Sequence, residues 1–405
     1  MPAAAERTLV LVTGARQTGK TTISRTKYPD ISYFDLDALE YRDQLDAVSS
    51  FAWGKEVGKA ILDEVQKSPQ LFDKIKYAYD NGAVDFTVLL GSAQILLLAK
   101  IRESLSGRVL VYDLWPLSLG ELICPVEKSL QPPLFGVLLS GKSIDEALQG
   151  VSPVLLGNRT EQLREQEEYL LQWGGMPGLL RMGEERRWEW LRSYEQSYLE
   201  RDLGDLARLS DLTPFRTFQK LAAARSGSLL SYSRLADDAG ISVETARRYM
   251  EYLRLSYQGV LLQPYTVNLT STVIKTPKLY WSDCGILRQL TGKYHGTDGA
   301  LFENYTVMEL YKVVRSLYPQ TRLWFYRTRS GLEVDLLCET DKGLVCLEVK
   351  SSRVVSGNDF RVLRHLAEAL GAKMTGGIVI YRGEKILQYG PKLWAIPSFR
   401  LFSPA

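Results

Sequence analysis

Eight residues near the amino end, Gly14-Ala15-Arg16-Gln17-Thr18-Gly19-Lys20-Thr21, have the types and spacing needed to hold a phosphate chain. They follow the apolar run Leu9-Val10-Leu11-Val12 and fit the pattern G-x-x-x-x-G-K-[ST]. In that pattern a strand delivers a glycine-containing turn whose backbone N–H groups, with the N-terminus of the next helix, surround phosphates. Gly14 and Gly19 permit the unusual backbone, Lys20 offers a point charge to the β and γ phosphates, and the Thr21 hydroxyl is placed to ligate Mg²⁺. Thr22 opens the helix that should run over 22–27 and stop before Pro29.

A second constellation lies about forty residues on. Ala60-Ile61-Leu62-Asp63-Glu64 is an apolar strand tipped by two carboxylates, the form expected in a parallel sheet covered on both faces. Asp63 would hold Mg²⁺, and Glu64 would orient and deprotonate the attacking water. A further strand over 86–90 ends at Ser92 and Gln94, of which Ser92 is the better γ-phosphate sensor, with an ordinary helix cap as the other reading. Arg108, just before a strand over 109–112, reads as an arginine finger acting in cis or on a neighbouring subunit, or as half of a surface ion pair.

The elements needed to position these groups form an α/β P-loop core with a parallel sheet over residues 1–115. From 116 to 211 the pattern is helical, as expected of a lid packed on that core, with a proline-rich insertion of short helices and loops over 123–160. Residues 212–290 contain a helix, a Gly240 turn and a second helix begun by Ser242, followed by two strands: a winged-helix segment. Val243, Ala246 and Met250 should face inward, and Thr245, Arg247, Arg248 and Tyr249 outward. Arg247 and Arg248 are the candidates for phosphate contacts with DNA, protein interaction being the other use of such a segment.

Residues 291–405 open with a helix bearing Glu303 and continue in a meander over 323–350. Asp335 should lie beside Glu348 and Lys350 if the last two strands pair through the turn at 339–343, with Val349 turned to the core. Carboxylates among Leu and Val need a cation. This pattern, an acidic residue and then Glu-x-Lys behind a helix bearing Glu303, resembles the PD-(D/E)XK nuclease fold, and the resemblance implies Mg²⁺ on carboxylates among Glu303, Asp335 and Glu348 with Lys350 steadying the attacking water. A hairpin with an exposed ion pair is the alternative.

Composition sets the outer bounds. An apolar fraction of 45% in 405 residues is ample for two to four cores. The net charge of +3 conceals an asymmetry: 24 Lys and Arg against 30 Asp and Glu up to residue 210, then 26 against 17. Such a balance suits a C-terminal half that meets a polyanion, or a solvated face with no partner. Cys124, Cys284, Cys338 and Cys346 lack C-x-x-C spacing and His295 and His365 are the only histidines, which excludes an ordinary zinc site and suits reduced thiols in a cytoplasmic protein. No apolar run reaches the ~20 residues of a membrane helix, and the early first strand leaves no room for a signal peptide.

The run GARQTGKTT, ILDEVQKSP, LLGSAQ, ESLSGR and DLWPLSLGEL resembles the AAA-type ATPases of bacteria and archaea that carry a C-terminal domain of unknown function. The resemblance implies ATP with Mg²⁺ and assembly of subunits around shared nucleotide sites; Arg201, in YLERD, resembles a further family motif and is a second candidate for sensing nucleotide. The acidic residue followed by Glu-x-Lys, behind a helix bearing Glu303, resembles the PD-(D/E)XK nuclease fold, either active or inherited without catalysis. Together these expectations describe an ATPase acting on DNA in repair, recombination or defence, or else an ATP-dependent signalling or scaffold oligomer with an inert nuclease-like domain.

Overall fold

The computed structural model describes residues 1–91, 101, 104–125, 130–139, 143–155, 157–198, 211–265 and 275–404. They divide into two compact units. The first comprises residues 1–116, 196–212 and 251–258, and the second residues 117–195, 213–250 and 259–405.

In the first unit five strands, β1 (Thr8–Gly14), β2 (Ser32–Asp35), β3 (Ala60–Asp63), β4 (Phe86–Leu90) and β5 (Val109–Leu114), form one sheet in the order β2-β3-β4-β1-β5. Every neighbouring pair is parallel. Side-chain alternation sends Leu9, Leu11, Leu62 and Leu89 to one face, against Trp53, Phe72 and Ile75. Val10, Val12, Ile61 and Val88 go to the other, against Tyr28 and Phe86. Both faces are covered, which is why these strands are apolar at consecutive positions. Each such side chain, fully buried, contributes roughly 1.5–3 kcal/mol. Leu9 pairs with Val109 and Gly14 with Leu114, so the glycine turn leaves the carboxyl edge of the sheet. Asp35 pairs with Asp63 on the same edge, where open α/β sheets receive ligands.

The second unit contains a six-stranded sheet ordered β12-β13-β11-β10-β9-β8. Its strands are β8 (Arg322–Arg327), β9 (Glu333–Thr340), β10 (Gly343–Lys350), β11 (Met374–Tyr381), β12 (Leu387–Gly390) and β13 (Leu393–Pro397). The meander β8-β9-β10 is antiparallel, as its turns require, and β11 and β13 then add in parallel. The segment expected to be a winged helix has helices Tyr232–Ala239 and Val243–Leu255 and a hairpin of β6 (Gly259–Leu262) and β7 (Lys278–Trp281). Gly240 closes the first helix at φ 64°, and the Ser242 hydroxyl accepts from the Thr245 N–H at 3.1 Å. Two expected orientations are corrected: Val243 is 40% exposed, while Tyr249 is buried edge-on to Phe215 and Phe218. Val349, expected in the core, is half-buried, and its neighbour Glu348 is the buried one.

Residues 117–195, expected as a lid, group within the second unit. The reason lies in the long helix Gly299–Leu317: its buried Glu309 accepts from the Leu119 N–H at 2.7 Å, and Lys312 donates to the Leu117 carbonyl at 3.2 Å. Nearby, the helix Asn158–Trp173 ends at Gly174, whose φ is 77°. A Cβ there would meet Asp283 Oδ1 at 2.1 Å. Asp283 accepts from the Gly175 and Ile286 N–H groups at 2.7 and 3.0 Å, capping the helix Cys284–Thr291. Among the described residues no helix is long and apolar enough to cross a membrane.

Candidate functional site

At the carboxyl edge of the first unit's sheet, β1 runs into a turn that only its own sequence allows. Gly14 has φ 149°, and a Cβ there would lie 2.2 Å from the Leu114 carbonyl oxygen. Gln17 and Gly19 also adopt positive φ, 60° and 95°. The Thr18 hydroxyl donates to the Ala15 carbonyl at 2.8 Å, tying the turn across its width. Lys20, in the first turn of the helix Lys20–Lys27, is buried and donates to the carbonyls of Ala15 and Gly14 at 2.8 and 3.1 Å.

The acid-tipped strand meets this turn. The Thr21 hydroxyl donates to Asp63 Oδ2 at 2.5 Å, and the Tyr33 hydroxyl donates to the same oxygen at 2.9 Å. Asp63 Oδ1 accepts the Glu64 N–H at 2.9 Å. A hydroxyl and a carboxylate in contact make an all-oxygen donor set of the kind Mg²⁺ takes, so the residues present fit the metal. Glu64 follows at φ 52°, in the left-handed region, which turns its side chain out of the strand's alternation and onto Gln66. Burial raises its carboxyl above the ordinary range, and the nearby Asp63 adds to this. Burial also raises the Tyr33 hydroxyl, as does the Asp63 charge.

One other expected member of this site stands elsewhere. Arg108 sits before Val109, and Val109 pairs with Leu9 at the amino end of the strands. Five residues along β1 at about 3.3 Å each separate that end from Gly14. A finger acting in cis is therefore corrected. Arg108 instead makes a two-pronged ion pair with Asp80 at 2.6 and 2.9 Å and donates to the Ser106 carbonyl. Ser92, Gln94 and Arg201 lie outside the described residues. Sequence reasoning missed Tyr33, which no motif announces, and Tyr257, at φ 60° beyond the helix Val243–Leu255.

In the second unit the expected carboxylates do converge. Asp335 Oδ2 accepts the Val349 N–H at 2.9 Å, and Lys350 donates to Glu348 Oε1 at 2.7 Å. The cation among them, however, is one the sequence reading passed over. Lys278 of β7, 2% exposed, places Nζ 3.0 Å from Glu303, 2.5 Å from Glu333 and 3.7 Å from Asp335. Among the described residues no group of three or more His, Cys, Asp or Glu is disposed to hold a metal ion. Lys278 thus stands among the carboxylates on which a metal was expected. Burial raises Asp335 and Glu348 above the carboxylate range, and Glu348 raises Asp335 further.

Arg247 and Arg248 are both exposed on the helix Val243–Leu255. The Arg247 guanidinium lies 4.6 Å from the centre of the Tyr232 ring, and Arg248 6.0 Å from that of Tyr249.

Comparison with known proteins adds to this geometry. Residues 6–123 match the model of an AAA domain, residues 164–295 a domain of unknown function (DUF8612) and residues 298–401 another (DUF4143). Two uncharacterised proteins, of Mycobacterium bovis and Mycobacterium tuberculosis, are each 25% identical over 410 residues, covering 98% of this chain and 81% of theirs. Among solved structures, a signal transduction ATPase with numerous domains (STAND) and a tetratricopeptide repeat sensor, from Pyrococcus horikoshii, is 10% identical with a TM-score of 0.24; the match covers 78% of this chain and 44% of that one. A Vibrio cholerae protein is 11% identical with a TM-score of 0.20, over 97% of this chain and 96% of its own. The phosphate-loop geometry and the match over residues 6–123 together support an AAA-type, ATP-binding amino-terminal domain, joined to a C-terminal domain that fits DUF4143.

Proposed function

We propose that the chain binds and hydrolyses Mg·ATP at the carboxyl edge of the five-stranded sheet and uses the cycle to switch a DNA-binding C-terminal half. The observation that carries this reading is the 2.5 Å contact between Thr21 and Asp63, which joins the phosphate loop to the acid-tipped strand. Residues 14–19 wrap the phosphates, with Thr21 and Thr22 at the helix N-terminus. Lys20 exchanges its loop carbonyls for the β and γ phosphate oxygens. Thr21 and Asp63 would hold Mg²⁺, which when bound neutralises charge on the β and γ phosphates. Tyr33 keeps the Asp63 carboxylate oriented toward that position. Glu64, lifted from the strand by its left-handed backbone, orients the attacking water and takes its proton.

Arg108, remote from the site of its own chain, is assigned to a neighbouring copy in a homo-oligomer. Arg247 and Arg248, both exposed, the former over the Tyr232 ring, would contact DNA phosphates, in keeping with the basic balance after residue 210. The test is one preparation in two assays. Glu64→Gln should retain ATP and lower turnover at least ~100-fold, and Arg108→Ala subunits should regain turnover when mixed with Lys20→Ala subunits. DNA affinity should fall with salt and drop in Arg247→Ala/Arg248→Ala. An Asp63→Asn variant with unchanged turnover, or DNA binding absent at low salt, would overturn the corresponding half of the proposal.

A further inference from the structure

We infer that Lys278 is the resident cation of the acidic cluster in the C-terminal domain, so that this domain takes no divalent metal and cuts no phosphodiester. The inference is independent of the ATPase reading, since it concerns residues of the second unit alone.

Four carboxylates from three segments meet here: Glu303 on the helix Gly299–Leu317, Glu333 and Asp335 on β9, and Glu348 on β10. Left to themselves, like charges in a buried site repel, and ionised carboxylates lose their hydration. A nuclease-type answer is a divalent ion held by two or three of them. This chain supplies another. Lys278 enters from β7 and contacts Glu303, Glu333 and Asp335 at once. Its stem is buried and its Nζ lies 5.7 Å from the centre of the Phe325 ring.

The remaining donors are arranged around that ammonium. The Tyr280 hydroxyl donates to Glu303 Oε1 at 2.7 Å, sharing the oxygen that Lys278 also holds. Arg327 pairs with Glu333 Oε2 at 2.8 Å, Lys350 with Glu348 Oε1 at 2.7 Å, and the Val349 N–H with Asp335 Oδ2 at 2.9 Å. Glu348 Oε2 is buried without a partner, and a single oxygen is too few ligands for Mg²⁺ or Mn²⁺. A divalent ion bridging Glu303 and Asp335 would have to displace Lys278 or sit against its charge. The same contacts give the cluster a structural task, holding the wing strand β7 to the helix and sheet that follow it in sequence.

The test uses the full chain without nucleotide, titrated with Mn²⁺ and followed by the loss of the free-ion EPR signal. Wild type and Asp335→Asn should bind Mn²⁺ indistinguishably, and neither should nick supercoiled or single-stranded DNA with Mn²⁺ present. Lys278→Met, which keeps the stem and deletes the charge, should bind one further Mn²⁺ at least tenfold more tightly than wild type; if this variant does not fold, the comparison of wild type with Asp335→Asn decides alone. Lys278→Arg should behave as wild type in both assays. Stoichiometric Mn²⁺ binding by wild type that disappears in Asp335→Asn, or DNA cleavage that disappears with it, would overturn the inference.

Discussion

The Thr13 hydroxyl lies 2.7 Å from the Tyr257 hydroxyl, and both donate to the same oxygen of Asp113. Thr13 immediately precedes the first glycine of the phosphate loop, Asp113 stands opposite it on β5, and Tyr257 arrives from more than a hundred residues downstream. The triad, with Trp115 packed edge-on to the Tyr257 ring, anchors residues 251–258 in the nucleotide-binding unit.

Removing the Tyr257 hydroxyl should therefore loosen this anchor without altering the sheet. Tyr257→Phe is expected to cost about 1 kcal/mol, since Asp113 is exposed and water replaces part of the lost bond. A double-mutant cycle with Thr13→Val, read by urea denaturation, should give a coupling of ~0.5–1 kcal/mol. Strict additivity would mean the hydroxyls do not act together.

A pH effect is expected from Glu167, on the helix Asn158–Trp173. Burial pushes its carboxyl up to about 7. An acid whose pKa is higher folded than unfolded binds more protons in the native state, so its contribution is whole below the unfolded value and is lost as pH rises to the folded one. Between roughly pH 4.5 and 7 wild type should lose up to ~3 kcal/mol through this group. Glu167→Gln should remove that slope, gaining on wild type at pH 8 relative to pH 5 in denaturant titrations. Parallel slopes for the two proteins would show the carboxyl to be ordinary.

Gly174→Ala should be among the more damaging small substitutions in the second unit. The residue has a positive φ, and the added methyl would collide with the Asp283 carboxylate that caps the helix Cys284–Thr291. A loss of about 2 kcal/mol or more is expected, whereas Gly183→Ala, where the same methyl meets nothing, should stay within about 0.5 kcal/mol. Thermal unfolding of the pair gives the comparison.

The nucleotide-binding half was readable in advance because its information is local. The apolar strands, the glycine turn and the two terminal carboxylates each announce themselves within a few residues, and the parallel register then brings Thr21 to Asp63. What escaped depends on distance along the chain. Tyr33 joins Asp63 only because β2 lies beside β3, and Tyr257 reaches Thr13 only through the fold. Arg108 had the right residue type, but a strand's direction decides which edge of the sheet its first residue occupies. Lys278 was hidden for the same reason: a lysine at the start of a short strand looks solvated, and nothing in Lys278-Leu279-Tyr280-Trp281 tells that four carboxylates wait on later segments. The requirement for a cation was legible; which cation met it was not.

That arrangement bears on how the protein can be dissected. A fragment cut at residue 298, where the DUF4143 match begins, would keep Glu303, Glu333, Asp335 and Glu348 and leave Lys278 behind. Such a piece would carry an unbalanced knot of negative charge in its interior, and any manganese or magnesium it took up in the test tube would be an artefact of the scissors.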